Sequence, residues 1–453
     1  MIDVAFLDHL ANARSKIEFA RTAAGFAALK LYDSVKTHGY DPAIHRDALH
    51  QLERDVTGIA DEASVHAALE SVVQALPFWG CDGATRIGRR AVYTALLVYG
   101  QALGDEGEWQ IAESVYSIVG MDAELDGETW LAAEARLLMG RASRMCADWE
   151  ASGIAYRRAY ELGTDAGDLS IALRARIGEA NNLWSRGDFP AARQLLNATA
   201  RRARASCPAV LPRVVLAIAG VANAAGEYER AIHLAFGLLH SLSDNDELKY
   251  KILVDLAAFL TDYGLPSVAA AALRVVESAA PEPQVRRHAK LNLFFLAARH
   301  NDEAAFTALR LALANEPLTP RQQTQYALFA AQGFRRFLRL DSALASVERA
   351  IQLATQFQLF QLVFEAEAEL HAIQAVGTDL HEEGVRQARH SRRARARAAG
   401  GSDDGTDVIE ATFDTSITRD KIPPRIRQVA ESLESMAAGR FAIGAERGMS
   451  AAL

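Results

Sequence analysis

The densest chemistry in this sequence is a run of arginines, Arg386, Arg389, Arg392, Arg393, Arg395 and Arg397, with no acid among them. Guanidinium groups hold phosphates by paired hydrogen bonds, so these residues are the candidate polyanion grip, and nucleic acid held by them would be released steeply by salt. No aromatic residue interleaves the arginines, so bases have no platform to stack on. The run also reads as a solvated helix extension or linker lying against an acidic surface, or as a docking segment for an acidic protein. Around it the chain is acidic. Residues 385–401 sum to +6 and residues 402–453 to −3, which leaves −11 on residues 1–384 of a chain whose net charge is −8.

Other groups that could ligate or react are sparse. Asp122, Glu124, Asp126 and Gly127 imitate the first half of a calcium loop, but position twelve would be Ala133 where a bidentate Glu is needed. The string reads instead as a solvated loop. His233 and His240 share a helix face without a third ligand, so no metal is expected there. Phosphate-loop, nucleophile-elbow, HExxH and dinucleotide motifs are all missing. The expectation is a protein that is not an enzyme, with no catalytic residues, no metal and no cofactor.

What positions the polar groups is a repeating helical register. A small residue opens the second helix of each pair at Ala112, Ser152, Ala192, Ala231 and Ala269, at steps of 40, 40, 39 and 38 residues. In the first unit Leu96, Tyr99, Gly100 and Leu103 precede Trp109, Ala112 and Tyr116. The second repeats this with Met139, Gly140, Trp149, Ser152, Tyr156 and Ala159. The third has Ala180, Leu183, Phe189, Ala192 and Leu196, and the fourth Ile218, Ala219, Tyr228, Ala231 and Leu238. The fifth has Leu253, Leu256, Ala257, Leu260, Ala269, Leu273 and Pro281. Small residues let antiparallel helices approach while large ones fill the seam, and the strings GEW, ADW, GDF and GEY mark the turns. A fixed period of this size signals a solenoid.

The pattern resembles the tetratricopeptide repeat, with a period nearer 39 than 34 residues and only one closing Pro. The expected cause of the longer period is longer connections between hairpins. The resemblance implies an all-α, right-handed α-solenoid of helical hairpins with an N-terminal helical cap and a partly flexible C-terminal tail. It also implies that the first helix of each pair lines a concave groove. Its ligand-facing positions fall on Arg141, Arg144, Arg174, Asn181, Arg213, Asn223 and Lys251. Arginine grips a carboxylate with two parallel bonds and Asn both donates to and accepts from a peptide backbone, so the set suits an acidic or C-terminal peptide. As ordinary surface residues they would serve solubility alone.

Four segments are expected: a helical bundle over 1–84, a solenoid of about seven hairpins plus a closing helix over 85–376, a basic then Gly/Asp-rich linker over 377–423, and an amphipathic helix with tail over 424–453. The first contains one long amphipathic helix through residues 5–36, a helix opened by Asp41 and Pro42, and a third from Asp61. It serves either as a cap on the first repeat or as a docking module. In the last, Ile426, Val429, Leu433 and Met436 share one face, so the helix either docks on another chain or folds back. The terminal Ala452 and Leu453 could then occupy the groove of the same or a neighbouring molecule.

Half the residues are hydrophobic, only 12 are Pro, and the three cysteines, Cys81, Cys146 and Cys207, are widely spaced. With no secretory signal at the N-terminus and no apolar run of membrane length, a cytoplasmic location away from membranes is expected. The function expected is a protein- or peptide-binding scaffold or adaptor. The alternatives are a regulator of nucleic-acid transactions acting through the arginine run and a ligand-responsive signalling regulator.

Overall fold

The structure is a computed structural model that describes residues 2–13, 16–58, 64–79, 85–242, 248–377 and 422–450. Among the described residues there are helices and no strands. Four helices come first: α1 Ile2–Ala11, α2 Lys16–His38, α3 Pro42–Thr57 and α4 Ser64–Ala75. Pairs follow as α5 Thr85–Glu106 with α6 Trp109–Leu125, α7 Thr129–Met145 with α8 Trp149–Asp165, and α9 Leu169–Ser185 with α10 Phe189–Ser206. They continue as α11 Leu211–Ala224 with α12 Tyr228–Ser241, α13 Leu248–Tyr263 with α14 Pro266–Ala279, and α15 Pro283–Arg299 with α16 Glu303–Leu313. The pair α17 Pro320–Arg336 and α18 Leu340–Gln356 comes next, then α19 over residues 360–377 and α20 Pro424–Ser450.

The turns explain the repeat length. Left-handed backbone recurs at Gly107, Gly127, Ala147, Gly167 and Gly187, one residue in every 20, and the helices from α6 to α9 each contain 17 residues. From α5 to α10 the turns within and between pairs are therefore equally short, and there the residues beyond the usual 34 extend the helices, which corrects the expectation of longer connections for these pairs; six residues separate α12 from α13 and α16 from α17. At each turn the residue after the left-handed one folds its N–H back five residues, as Glu128 does to Ala123 O at 2.8 Å and Asp148 to Ser143 O at 2.9 Å, which satisfies a terminal carbonyl of the preceding helix. The following helix is capped when that residue is Asp: Asp148, Asp168 and Asp188 accept from Ala151, Ile171 and Ala191 N at 2.9–3.1 Å.

The expected single helix over 5–36 is two. The backbone N–H of Asn12 returns to Asp8 O and His9 O and its amide donates to Asp8 O at 2.7 Å, which closes α1 at Ala11. A short polar residue that can satisfy terminal carbonyls stops a helix that hydrophobic periodicity alone would continue.

Contacts group the chain into two units, Met1–Ala225 with Glu282–Gln284 and Pro317–Pro320, and the remainder from Gly226 onward. In the first unit one apolar cluster runs from Phe6 through α2, α3 and α4 into the repeats as far as Ala175. Trp79 joins the two parts by edge-on contacts at 5.5 Å with Tyr32 of α2 and with Tyr93 of α5. In the second unit α20 packs on α14 and α12, burying Ile426, Val429, Ala430, Leu433 and Ala437, while Met436 is half-buried.

Within a pair the register is set by an aromatic ring seated on glycine. Tyr156 of α8 lies against both Gly140 of α7 and Gly178 of α9, so a Cβ at Gly178 would sit 2.3 Å from its ring. Nearby, Ser152 donates to Gly140 O at 2.6 Å and accepts from the buried Asn182 amide at 3.0 Å. Gly178→Ala should therefore lower the unfolding free energy by about 1–3 kcal/mol through overpacking. Ala147→Gly should raise it by about 0.5–1 kcal/mol by relieving left-handed alanine, net of the greater freedom glycine has when unfolded. Urea unfolding followed by circular dichroism measures both.

Candidate ligand-binding face

In the first unit the first helices of successive pairs, α5, α7, α9 and α11, touch one another directly and form one layer, and each second helix wedges against the two first helices beside it. The layer's face away from the second helices is the surface on which the sequence placed its polar groups. On these helices Arg141, Arg144, Arg174, Asn181 and Asn223 are half-buried and Arg213 is exposed. Lys251 belongs to α13 of the second unit, where it is half-buried.

The arginines are held rather than loose. Arg174 grips Glu134 with two parallel bonds of 3.0 Å, linking α9 to α7 at equivalent positions 40 residues apart. Arg141 lies over the Trp109 ring at 5.3 Å and donates to Gln284 Oε1 of the same unit at 3.1 Å. Sequence projection picked out the bases and amides and passed over Glu134, which sits six residues before Gly140 as Arg174 sits six before Ala180. That matching register was the signal for the pair. Asn182, next to Asn181, serves the core through Ser152 instead.

The acidic string at the C-terminal end of α6 and the turn after it is a junction, which corrects its reading as a solvated loop. Asp122 and Glu128 are buried. Asp122 accepts from Tyr32 Oη at 2.6 Å and Lys36 Nζ at 2.5 Å, both on α2. Asp126 accepts from Tyr93 Oη at 2.8 Å and Arg89 at 3.0 Å, and Glu128 from Arg86 and Arg90 at 2.5 and 2.7 Å, all on α5. Glu124 accepts from Arg136 and Arg158 at 2.8 and 2.9 Å. Burial alone would raise the Glu128 and Glu124 carboxyls, but the paired guanidinium groups outweigh it and hold both below the ordinary range. Asp122 thus fastens α2 to α6, Asp126 and Glu128 fasten α5 to the turn between α6 and α7, and Glu124 ties α6 to α7 and α8.

Cys146 and Cys207 are free thiols, and burial with Glu113 and Asp148 nearby pushes the Cys146 thiol up to about 12. Cys81, the arginine run 386–397 and the terminal Ala452 and Leu453 lie outside the described residues. His233 and His240 each turn a ring nitrogen to the carbonyl four residues back, Glu229 and Phe236, at 2.7 and 3.1 Å. No described helix is long and apolar enough to cross a membrane.

In the second unit, burial pushes the Asp255 carboxyl of α13 up to about 7, and burial with Arg321 nearby lowers the His288 imidazole of α15 to about 4. The two act on stability with opposite signs over the same pH range. Folded Asp255 keeps its proton longer than the unfolded chain does, so stability is lost as pH rises from about 4 to 7. Folded His288 resists protonation, so stability is lost as pH falls from about 6.5 to 4. Asp255→Asn should therefore make the chain lose stability more steeply on acidification across this window, and His288→Asn less steeply, in urea unfolding at a series of pH values.

No protein-family model and no curated protein sequence matches the chain. Solved structures do match. The Rap conjugation gene regulator of the plasmid pLS20 in complex with the Phr* peptide superposes with a TM-score of 0.52 at 12% identity, over 74% of this chain and 96% of that one. A Rap protein complexed with Competence and Sporulation Factor gives 0.49 at 11% identity over 74% and 99%, and the apo form of RapI gives 0.40 at 12% over 77% and 99%. At these identities the likeness is one of fold. With its short-turned pairs, aromatic-on-glycine seams and directly layered first helices, the chain has, over its described residues, an all-helical α-solenoid fold like that of tetratricopeptide repeats.

Proposed function

We propose that the chain is a non-catalytic, peptide-responsive scaffold of the cytoplasm that holds a short peptide on the first-helix layer and passes the occupancy on to a protein partner. The observation that carries this reading is the face itself. The helices of that continuous layer, α7, α9 and α11, carry Arg141, Arg144, Arg174, Arg213, Asn181 and Asn223, donors suited to carboxylates and to peptide backbone. Likeness of fold to a gene regulator solved with a peptide supports the same reading, as do the two free thiols for a reducing compartment.

The geometry gives the site a ranking. Arg174 already holds Glu134 by both arms, so an incoming carboxylate must compete with an internal one there. Arg141 is oriented by Trp109 and lends only one arm to Gln284. A peptide carboxylate would therefore go first to the end of the face near Arg141 and Arg144, and Asn181 would meet the peptide backbone beside it.

The test is fluorescence anisotropy of the full chain against a library of short labelled peptides with free or amidated C-termini. The best carboxylate-ended binder should lose roughly 10- to 100-fold in affinity in Arg141→Glu/Arg144→Glu, the scale of a charged hydrogen bond. Amidation should cost a comparable factor, and Glu134→Gln should tighten binding by releasing Arg174. Affinity that ignores all three changes would contradict the reading.

A further inference from the structure

Three ionisable side chains meet where α1, α2 and the start of α6 come together, apart from the ligand-binding face. His9 Nε2 lies 3.3 Å from Glu18 Oε1 and 3.2 Å from Glu108 Oε2, and one ligand atom from each residue falls within 4.8 Å of the others. A tetrahedral ion with bonds of about 2.1 Å has ligand–ligand edges of about 3.4 Å, so the two short separations match the edges of a zinc tetrahedron. We propose that His9, Glu18 and Glu108 form a binding site for a divalent transition-metal ion of the zinc type, with water as the fourth ligand.

Three further observations support it. The His9 Nε2 atom is shut off from solvent and makes no hydrogen bond to either carboxylate despite its closeness to both, so its axis is aimed at neither oxygen. A buried nitrogen this close to two oxygens and hydrogen-bonded to neither has the spacing of a ligand set. Glu108 occupies the N-cap of α6 and, like Glu128 and Glu227 at the N-caps of α7 and α12, makes no side-chain capping bond, which leaves its carboxylate to other partners. It faces His9 instead. The surroundings are acidic as well: Glu18 and Glu106 both stand close enough to Glu108 to act on it, as do His9 and Arg21. Imidazole with carboxylates favours zinc over magnesium or calcium, which prefer all-oxygen shells.

The consequence is mechanical. A bound ion would clamp α1 and α2 to the turn that opens the first repeat's second helix, on a different flank from the Asp122 junction to Tyr32 and Lys36. The folded chain alone assembles the three ligands, so the ion should raise its melting temperature by linkage.

The experiment uses the full chain stripped with EDTA and titrated with Zn²⁺ by calorimetry, with Co²⁺ as the spectroscopic probe. The wild type should bind one equivalent of Zn²⁺ and give the visible bands of four-coordinate cobalt. His9→Ala and Glu108→Gln should each weaken binding by tenfold or more and abolish the thermal shift, while Glu134→Gln should change neither. Absence of a one-equivalent isotherm in the wild type, or full affinity retained in both ligand variants, would overturn the proposal. If a ligand variant fails to fold, the wild-type cobalt spectrum decides alone: four-coordinate bands uphold the site, and the spectrum of the hydrated ion overturns it.

Discussion

The seating of an aromatic ring on glycine is the contact from which the rest of this architecture follows. Tyr156 presses on Gly140 and Gly178 at once, and Tyr116 on Gly100 and Trp109 on Gly104 do the same within the first pair. Each ring occupies the place a Cβ would take, which draws a second helix into the notch between its first-helix neighbours. Consecutive first helices are then brought side by side, and their far faces merge into one surface. The polar groups on that surface are useful only because this packing fixes their spacing. Gly333 against Phe306 repeats the arrangement in the second unit.

Charge is distributed according to the same scaffold. Acids gather at the turns, where Asp caps a helix or Glu reaches sideways, and arginines project from the helices to meet them. Trp130 takes part in this pattern too, donating from its indole nitrogen to the capping Asp168 at 2.8 Å. Buried and multiply bonded, the carboxylates Asp122 and Glu128 are costly to expose singly, because loss of one partner leaves a charge without compensation. The N-terminal helices are thus bound to the repeats both by apolar surface shared with Phe6, Leu69 and Trp79 and by this ionic seam.

Much of this was legible in the residues. Small residues at a fixed period revealed the pairs, because hairpin approach demands them at each turn of the repeat. The closing helix and the apolar face of α20 at Ile426, Val429 and Leu433 were legible for the same reason of periodicity. The location of the extra residues was not, since a period alone does not divide between helix and turn. It took the left-handed backbone at Gly127 and Gly167 to show that the connections that follow the first two pairs are short. The break at Asn12 and the Asp122 junction were hidden for a different cause. Each depends on who answers a polar group in space, and the partners of Asp122 lie 86 and 90 residues away. Candidate arginines could be named from register, but their engagement with Glu134 and Trp109 is tertiary.

The central claim is that the first-helix layer, and not the outer helices, receives the ligand. Site-specific photo-crosslinking tests it most directly, with benzoylphenylalanine placed at Gln101 or Asn181 on the layer and at Ile154 or Arg157 on the exposed side of α8. After irradiation with a peptide extract of the source cells, mass spectrometry reads the adducts. Peptide adducts at Gln101 and Asn181 with none at Ile154 or Arg157 are the predicted result. Adducts confined to α8, or spread equally over both faces, would contradict it.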